Sequence, residues 1–139
     1  MAVPEYMRSL GRLKVITSAY KNCVHTLTVC KSEKNFPKRD RWILTNRIID
    51  AANGILQCCI MANNINVKTA SDYELRRQYQ MQAKGHAMNQ LALMRLAFEV
   101  LSLEISEEHW IQLVDDVITL LTGWMDSDRR KHDHLLKDS

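Results

Sequence analysis

Residues 106–124 read SEEHWIQLVDDVITLLTGW, and this stretch indicates the fold class of the whole chain. Large apolar side chains recur every three or four positions, the spacing that places them on one face of an α-helix. Ser106 is a good N-cap, and the two glutamates after it suit the positive end of the helix dipole. The stretch therefore predicts an amphipathic helix whose apolar stripe faces a core. The stripe consists of Trp110, Leu113, Val117, Leu120 and Trp124.

The first half of the chain shows the same periodicity twice. Apolar residues three or four apart run from Tyr6 to Cys30 and predict a first helix. Pro37 ends it, because proline disfavours a helical residue before it and donates no backbone hydrogen bond. A second series runs from Trp42 to Ala62 and predicts a second helix. Trp42 is interpreted as a core anchor, with stacking on an exposed base as the alternative.

The third helix is predicted to begin at a capping box, Ser71-Asp-Tyr-Glu74. Its second half is amphipathic, whereas residues 76–86 are polar, so this part either projects beyond the core or packs against another element. Short connections and the absence of strand-like alternation predict an all-α, up-down-up-down four-helix bundle with a charged C-terminal tail. The predicted helices cover about residues 5–33, 39–65, 72–103 and 107–125, and the tail covers residues 126–139.

Composition agrees with a single helical domain. The 139 residues are 46% hydrophobic and 25% charged, and only four Gly and two Pro are available for turns. No apolar run is long enough to span a membrane, and the N-terminus lacks the apolar region of a secretory signal. These features predict a cytoplasmic protein without membrane contact.

Four cysteines, Cys23, Cys30, Cys58 and Cys59, fall inside helical patterns and lack the C-x-x-C spacing of a zinc site. We interpret them as buried, reduced thiols, with metal or redox work as the alternative.

Catalytic motifs are not found in the sequence. A di-iron bundle needs Glu-x-x-His pairs, and no Glu here has a His three residues later. A phosphate-binding loop and a Cys/His nucleophile pair are also missing. His86 lies among polar and basic residues and His132 and His134 lie in the tail, but solitary histidines are more often structural or solvated. The prediction is a protein that is not an enzyme and has no catalytic residue, metal site or cofactor.

Charge is divided unevenly along the chain. Residues 1–70 carry eleven Lys/Arg and four Asp/Glu, while residues 71–139 carry eight Lys/Arg and twelve Asp/Glu. This asymmetry predicts a basic and an acidic face. Clustered cations can bind nucleic-acid phosphates, although they can equally serve only to keep the bundle soluble. The candidate RNA- or partner-binding residues are Lys14, Lys21, Arg39, Arg41, Arg47, Arg76, Arg77, Lys84, Arg129 and Arg130.

Several motifs carry a resemblance to a known family. They are residues 35–52 (NFPKRDRWILTNRIIDAA), residues 83–86 (AKGH), residues 103–110 (LEISEEHW) and residues 123–130 (GWMDSDRR). In order and spacing the chain resembles the accessory variability determinants of diversity-generating retroelements, within the four-helix-bundle family related to ribosomal-RNA intervening-sequence proteins.

The resemblance implies a non-catalytic accessory subunit that forms a homopentameric barrel. Such a subunit binds the retroelement's reverse transcriptase and its structured template RNA, and it supports mutagenic cDNA synthesis. The alternatives are a four-helix protein-interaction module without RNA function and a metal- or cofactor-binding bundle enzyme.

The "GWMDSDRR" stretch that opens the predicted tail has two interpretations. Trp124 closes the apolar stripe at the end of the bundle, and the arginines after it suit the negative end of the helix dipole. The resemblance adds contact of the tail with the polymerase or RNA.

Overall fold

The computed structural model describes residues 14–137. Within this range the chain forms four α-helices and no β-strand, which confirms the predicted all-α class. The start of the first predicted helix near residue 5 and the last two residues of the predicted tail lie outside the described residues. The helices are α1 (Lys14–Cys30), α2 (Asn46–Asn63), α3 (Ala70–Val100) and α4 (Glu107–Lys137).

Each helix packs mainly against two others, in the cyclic order α1, α2, α3, α4. Short connections join successive helices, so the arrangement is that of a four-helix bundle around one core. The largest fully buried side chain is Trp110, whose indole N–H donates to Thr26 Oγ1 at 3.0 Å. Phe36 and Phe98 meet the Trp110 ring edge-on, at centroid distances of 6.1 and 6.3 Å.

The first connection turns earlier than predicted, because α1 ends at Cys30 and not near residue 33. Buried side chains explain the early turn. Phe36 packs on Trp110, and Asn35 Oδ1 accepts a 2.7 Å hydrogen bond from the backbone N–H of Glu104 in the connection before α4. These contacts hold the turn against the end of the bundle.

The predicted start of the second helix, near residue 39, is also corrected. A 3₁₀ turn covers Lys38–Asp40 and a π turn covers Arg41–Thr45 before regular helix begins at Asn46. Both turns are short, and a π turn is wider than a turn of α-helix. Helical periodicity therefore does not continue unchanged from Trp42 into α2.

The capping box of α3 is real but lies two residues earlier than the predicted Ser71–Glu74 box. Thr69 Oγ1 accepts from the backbone N–H of Asp72 at 3.2 Å, while Asp72 Oδ2 accepts from the N–H of Thr69 at 3.0 Å. The same four-residue pattern fits both positions, and Thr69, with extended backbone, is the one that the chain uses.

The predicted tail from residue 126 is corrected, since α4 continues to Lys137. The polar first half of α3 packs against this extension. Arg76 Nη1 contacts both carboxylate oxygens of Asp128 at 3.1 and 3.2 Å, and Tyr73 contacts the ring of His132 at a centroid distance of 5.7 Å. These contacts support the added turns of α4.

The buried stripe of α4 is rotated slightly from the prediction. Trp110 and Val117 are buried as expected, but Val114 and Leu121 take the central positions that were assigned to their neighbours Leu113 and Leu120. Trp124 is half-buried and lies against the core, 5.7 Å from the Arg76 guanidinium.

Candidate nucleic-acid interface

The strongest candidate site is the junction that leads into α2. Its cations are Lys38 and Arg39 on the 3₁₀ turn, Arg41 on the π turn and Arg47 in the first turn of α2, and all four are exposed. Arg39 lies 3.8 Å from the carboxylate of Asp40, a weak surface pair. The junction therefore presents an excess of positive charge to solvent.

Arg41 and Arg47 are the most available cations of this group. Neither forms an ion pair or a side-chain hydrogen bond with any other residue in the 14–137 range. A guanidinium with uncommitted donors can bind a phosphate through two parallel N–H groups. Of the cations predicted to bind a partner, Arg39, Arg41 and Arg47 are thus exposed at this junction.

Trp42 belongs to the same π turn as Arg41 and is 80% exposed, so its interpretation as a core anchor is wrong. The π turn explains the difference. In a regular α-helix Trp42 would lie one turn before the buried Thr45, but the wider π turn rotates it away from the core. Leu44 and Thr45 are buried instead and hold the turn in place, while Ile43 is 69% exposed.

Two adjoining depressions extend from Trp42 along the boundary of α2 and α3. The first has a volume of about 360 Å³ and includes Trp42 and Asn46, and the second has about 270 Å³ and includes His86 and Asn89. Arg47 and Asp50 border both, so the two depressions form one groove. We call this surface the Trp42 groove.

Arg76 does not belong to any exposed basic surface. Its side chain is 15% exposed, and its donors contact the backbone oxygens of Ala62 and Ile65 as well as Asp128. Gln80 Nε2 donates to the same Asp128 carboxylate at 2.9 Å. Arg76 therefore joins the end of α2 to α3 and α4, and it has a structural role in place of the predicted partner contact.

The remaining predicted cations lie at other places. Arg77 and Arg129 border one small depression between α3 and α4 of about 80 Å³, together with Asp126, which lies 3.5 Å from Arg129. Lys84 and Arg130 are exposed on α3 and α4. The ten candidates thus do not form a single continuous surface.

Lys14 and Lys21 border a groove of about 490 Å³ between α1 and α4. Asp116 lies on the opposite wall and reduces the positive charge there. An adjoining depression of about 270 Å³ contains His25 and His109, whose rings meet edge-on at 4.9 Å. Burial and the neighbouring His109 lower the pKa of His25, so this groove favours a neutral imidazole.

His86 has a packing role that the sequence did not reveal. Its ring lies directly over Gly54 of α2, where an added Cβ would come within 2.8 Å of the imidazole Cγ. Glycine is therefore needed at position 54 for the close approach of α2 and α3. The other side of His86 borders the Trp42 groove.

All four cysteines are buried, as predicted, and are free thiols. Burial raises the pKa of Cys23 to about 11 and that of Cys30 and Cys59 to about 12, and it also raises the pKa of Cys58. A thiol with a raised pKa carries little thiolate at neutral pH and is a poor nucleophile or metal ligand.

No group of three or more His, Cys, Asp or Glu side chains within residues 14–137 is arranged to hold a metal ion. Among the described helices, none combines the length and apolarity needed to cross a bilayer.

A second exposed surface, on the outer side of α3, was missed by the sequence analysis. Met81 and Met88 are more than half exposed and lie seven residues apart, with Leu96 about two turns further on. Gly85 and Ala92 lie between them on the same helical face. We call these five residues the α3 stripe. The heptad-like spacing of these residues could have revealed the stripe. The sequence prediction missed it because it considered only the apolar residues expected to face the core.

Comparison of the chain with protein-family models, curated proteins and solved structures gives no significant match.

Proposed function

We propose that this protein is a non-catalytic accessory subunit of a diversity-generating retroelement, which binds the reverse transcriptase and its structured template RNA. The observation that carries the proposal is the group of exposed cations in the segment 38–47, which also contains the exposed Trp42. The resemblance of the motifs supplies the identity of the polymerase and the RNA. In this role the protein acts in the cytoplasm and supports mutagenic cDNA synthesis without chemistry of its own.

Phosphate binding is the physical basis of the RNA half of the proposal. Exposed arginines gain affinity for a polyanion because each contact releases counterions, and the gain falls as salt rises. Arg41 and Arg47 are suited to this role, since neither forms an ion pair with an acid among the described residues. Nearby Trp42 offers an apolar contact that phosphate binding alone does not need.

Protein association is supported by the α3 stripe. Exposed apolar side chains that recur along one helical face are typical of surfaces that pack against another protein. Arg77, Lys84 and Arg95 follow one flank of the stripe at helical spacing, so an acidic helix would complement it. We assign the stripe to assembly, either between copies of this chain in the proposed homopentamer or with the reverse transcriptase.

The first experiment is recovery of the tagged protein from the cells that encode it, with sequencing of bound RNA and identification of bound proteins. The proposal expects one structured non-coding RNA together with a reverse transcriptase. Recovery of neither by a folded protein would contradict it.

Charge reversal tests the site itself. The Arg39→Glu/Arg41→Glu variant should keep its helical content and lose RNA association at physiological salt, because two exposed phosphate contacts become repulsive. Lys31→Glu/Lys137→Glu is the matched control, with the same change in charge at two other exposed positions. Equal RNA binding by the two variants would show that the junction is not the site.

The second candidate function is a four-helix protein-interaction module without RNA function, and the α3 stripe is the observation that favours it. Met88→Glu should then abolish capture of the protein partner, while RNA affinity remains negligible at low salt. RNA affinity that falls steeply with salt would favour the accessory subunit.

A further inference from the structure

We propose that the Trp42 groove binds unpaired nucleotides, with the indole of Trp42 as a stacking platform for one base. The inference rests on the proposed RNA binding of this chain and goes beyond it, because it states which part of the RNA this surface recognises. A site made only of cations would bind paired and unpaired RNA by the same phosphate contacts.

Trp42 has an exposed ring on a backbone that is held in place. An indole that is 80% exposed leaves a large apolar face in water, beside the 69% exposed side chain of Ile43. The backbone below it is held by the buried side chains of Leu44 and Thr45. Because the turn is fixed before a ligand arrives, little conformational freedom is lost when a base stacks on the ring.

Arginines near Trp42 can bind the phosphate of a stacked nucleotide. Arg41 precedes Trp42 directly, and Arg47 lies next to it along the groove. A nucleotide that stacks on the indole can bring its phosphate to the Arg47 guanidinium, because Trp42 and Arg47 line the same depression. Combined stacking and phosphate contacts are the common basis of single-strand binding.

The walls of the groove carry groups that can form hydrogen bonds with the edges of bases. Asn46 and Asn89 present amide groups that both donate and accept hydrogen bonds, and Asp50 presents a carboxylate at the centre of the groove. Asp50 forms no ion pair in the 14–137 range. A carboxylate repels phosphate but accepts from the amino groups of bases, so the groove is suited to base edges.

These features favour unpaired over paired RNA. In an A-form duplex both faces of an internal base are stacked, and its pairing edge is occupied. A loop, bulge or free end exposes both. The same features disfavour a protein ligand, since polar and charged side chains line the groove beside the indole, whereas the α3 stripe is the surface with continuous apolar character.

The test compares a fluorescein-labelled oligocytidylate of about twelve nucleotides, whose bases carry amino groups, with a blunt RNA duplex of the same length, by fluorescence anisotropy. The wild-type protein should prefer the single strand. Trp42→Ala should weaken single-strand binding by about 5- to 150-fold and leave duplex binding unchanged. Trp42→Phe, which keeps an aromatic face, should retain most of the affinity, and Val100→Ala serves as a control at another exposed apolar position.

Each result of this experiment either supports or overturns the stacking platform at Trp42. Single-strand binding by Trp42→Ala equal to wild type, or equal loss on both RNAs, overturns the platform while the proposed RNA function survives. Absence of binding to both RNAs by the wild-type protein overturns the platform and the proposed function together. Loss of a protein partner by Trp42→Ala, with RNA binding intact, assigns the surface to protein docking and also overturns the inference.

Discussion

Gly54 shows how a single residue sets the distance between two helices. The His86 ring lies where a Cβ at position 54 would be, and the nearest approach would be 2.8 Å. Real Cβ contacts are not this short, so any larger residue must displace the imidazole or separate α2 from α3.

Gly54→Ala is therefore expected to lower the free energy of unfolding by about 1–2 kcal/mol, because overpacking outweighs the gain in helix propensity. In the His86→Ala background the same substitution should instead stabilise the protein, since the space is then free. Gly85→Ala is the control, because nothing lies within 4 Å of its added Cβ. Urea unfolding of the four variants measures the coupling, and a loss of stability that is independent of His86 would refute the explanation.

The buried carboxylate of Asp128 pairs with the buried charge of Arg76. It is 5% exposed and accepts from Arg76 and Gln80. Asp128→Ala is expected to lower the free energy of unfolding by about 3–5 kcal/mol, because removal of one partner leaves the Arg76 charge uncompensated.

The matched control for this prediction is Asp126→Ala. Asp126 belongs to the same helix and has only an exposed 3.5 Å contact with Arg129, so its removal should change stability by about 0.5 kcal/mol or less. Similar losses for both variants, measured by thermal and urea unfolding, would show that the Asp128 contact does not stabilise the fold.

At the scale of the element, the start of α3 depends on a single carboxylate. The backbone N–H groups of Lys68 and Thr69 donate to Asp72 and lower its pKa below the ordinary value. A carboxyl group with a lowered pKa in the folded state adds stability that is fully present above its unfolded pKa. The added stability is lost as pH falls through the folded value.

Asp72→Asn should consequently reduce stability at neutral pH, and its difference from wild type should shrink as pH falls below the ordinary range of aspartate. Urea unfolding at a series of pH values measures this difference. Glu74→Gln is the control, since Glu74 belongs to the capping box that the sequence suggested and the chain does not use. A pH-dependent loss in the Glu74 variant, without one in the Asp72 variant, would restore that box.

Helix existence was predictable from the sequence, whereas helix ends were not. Apolar periodicity reports residues that face a core, and it correctly located all four helices. It does not report the contact between Arg76 and Asp128, which are 52 positions apart, and so the last turns of α4 were interpreted as a tail. Likewise, nothing in the residues around Trp42 distinguishes a π turn from the first turn of an α-helix.

The candidate site was predicted only in part for the same reason. Arg39, Arg41 and Arg47 are near in sequence, and their common place at the junction before α2 follows from local structure alone. Arg76 resembles them by residue type, but its burial depends on contacts made by α2 and α4. The groove beside Trp42 also needs two helices, so its second wall at His86 and Asn89 could not be derived from sequence.

At the scale of the whole molecule, a buried polar network joins three of the four helices. Gln90 of α3 donates to Asn22 and Thr26 of α1, Asn22 donates back to Gln90 at 2.7 Å, and Thr26 accepts from Trp110 of α4. All four side chains are fully buried. Such a network is satisfied in only one alignment of the helices, so it selects that alignment over others with equal apolar burial.

Gln90→Leu should lower the free energy of unfolding by about 1–3 kcal/mol, because the Asn22 amide loses its partner inside the core. The variant should also bind the dye 1-anilinonaphthalene-8-sulfonate, as expected when the helices no longer adopt one alignment. Gln78→Leu, at an exposed position of the same helix, is the control. A fully stable Gln90 variant with unchanged dye binding would show that apolar packing alone fixes the alignment.

The three tryptophans occupy environments that an optical experiment can separate. Trp110 is enclosed by the core, Trp124 is half-buried, and Trp42 projects into water. Trp42 should therefore dominate the long-wavelength edge of the emission spectrum and be quenched readily by acrylamide, whereas Trp110 should emit at shorter wavelength. The protein thus carries its own pair of unlabelled probes, one for events at the surface beside α2 and one for the integrity of the core.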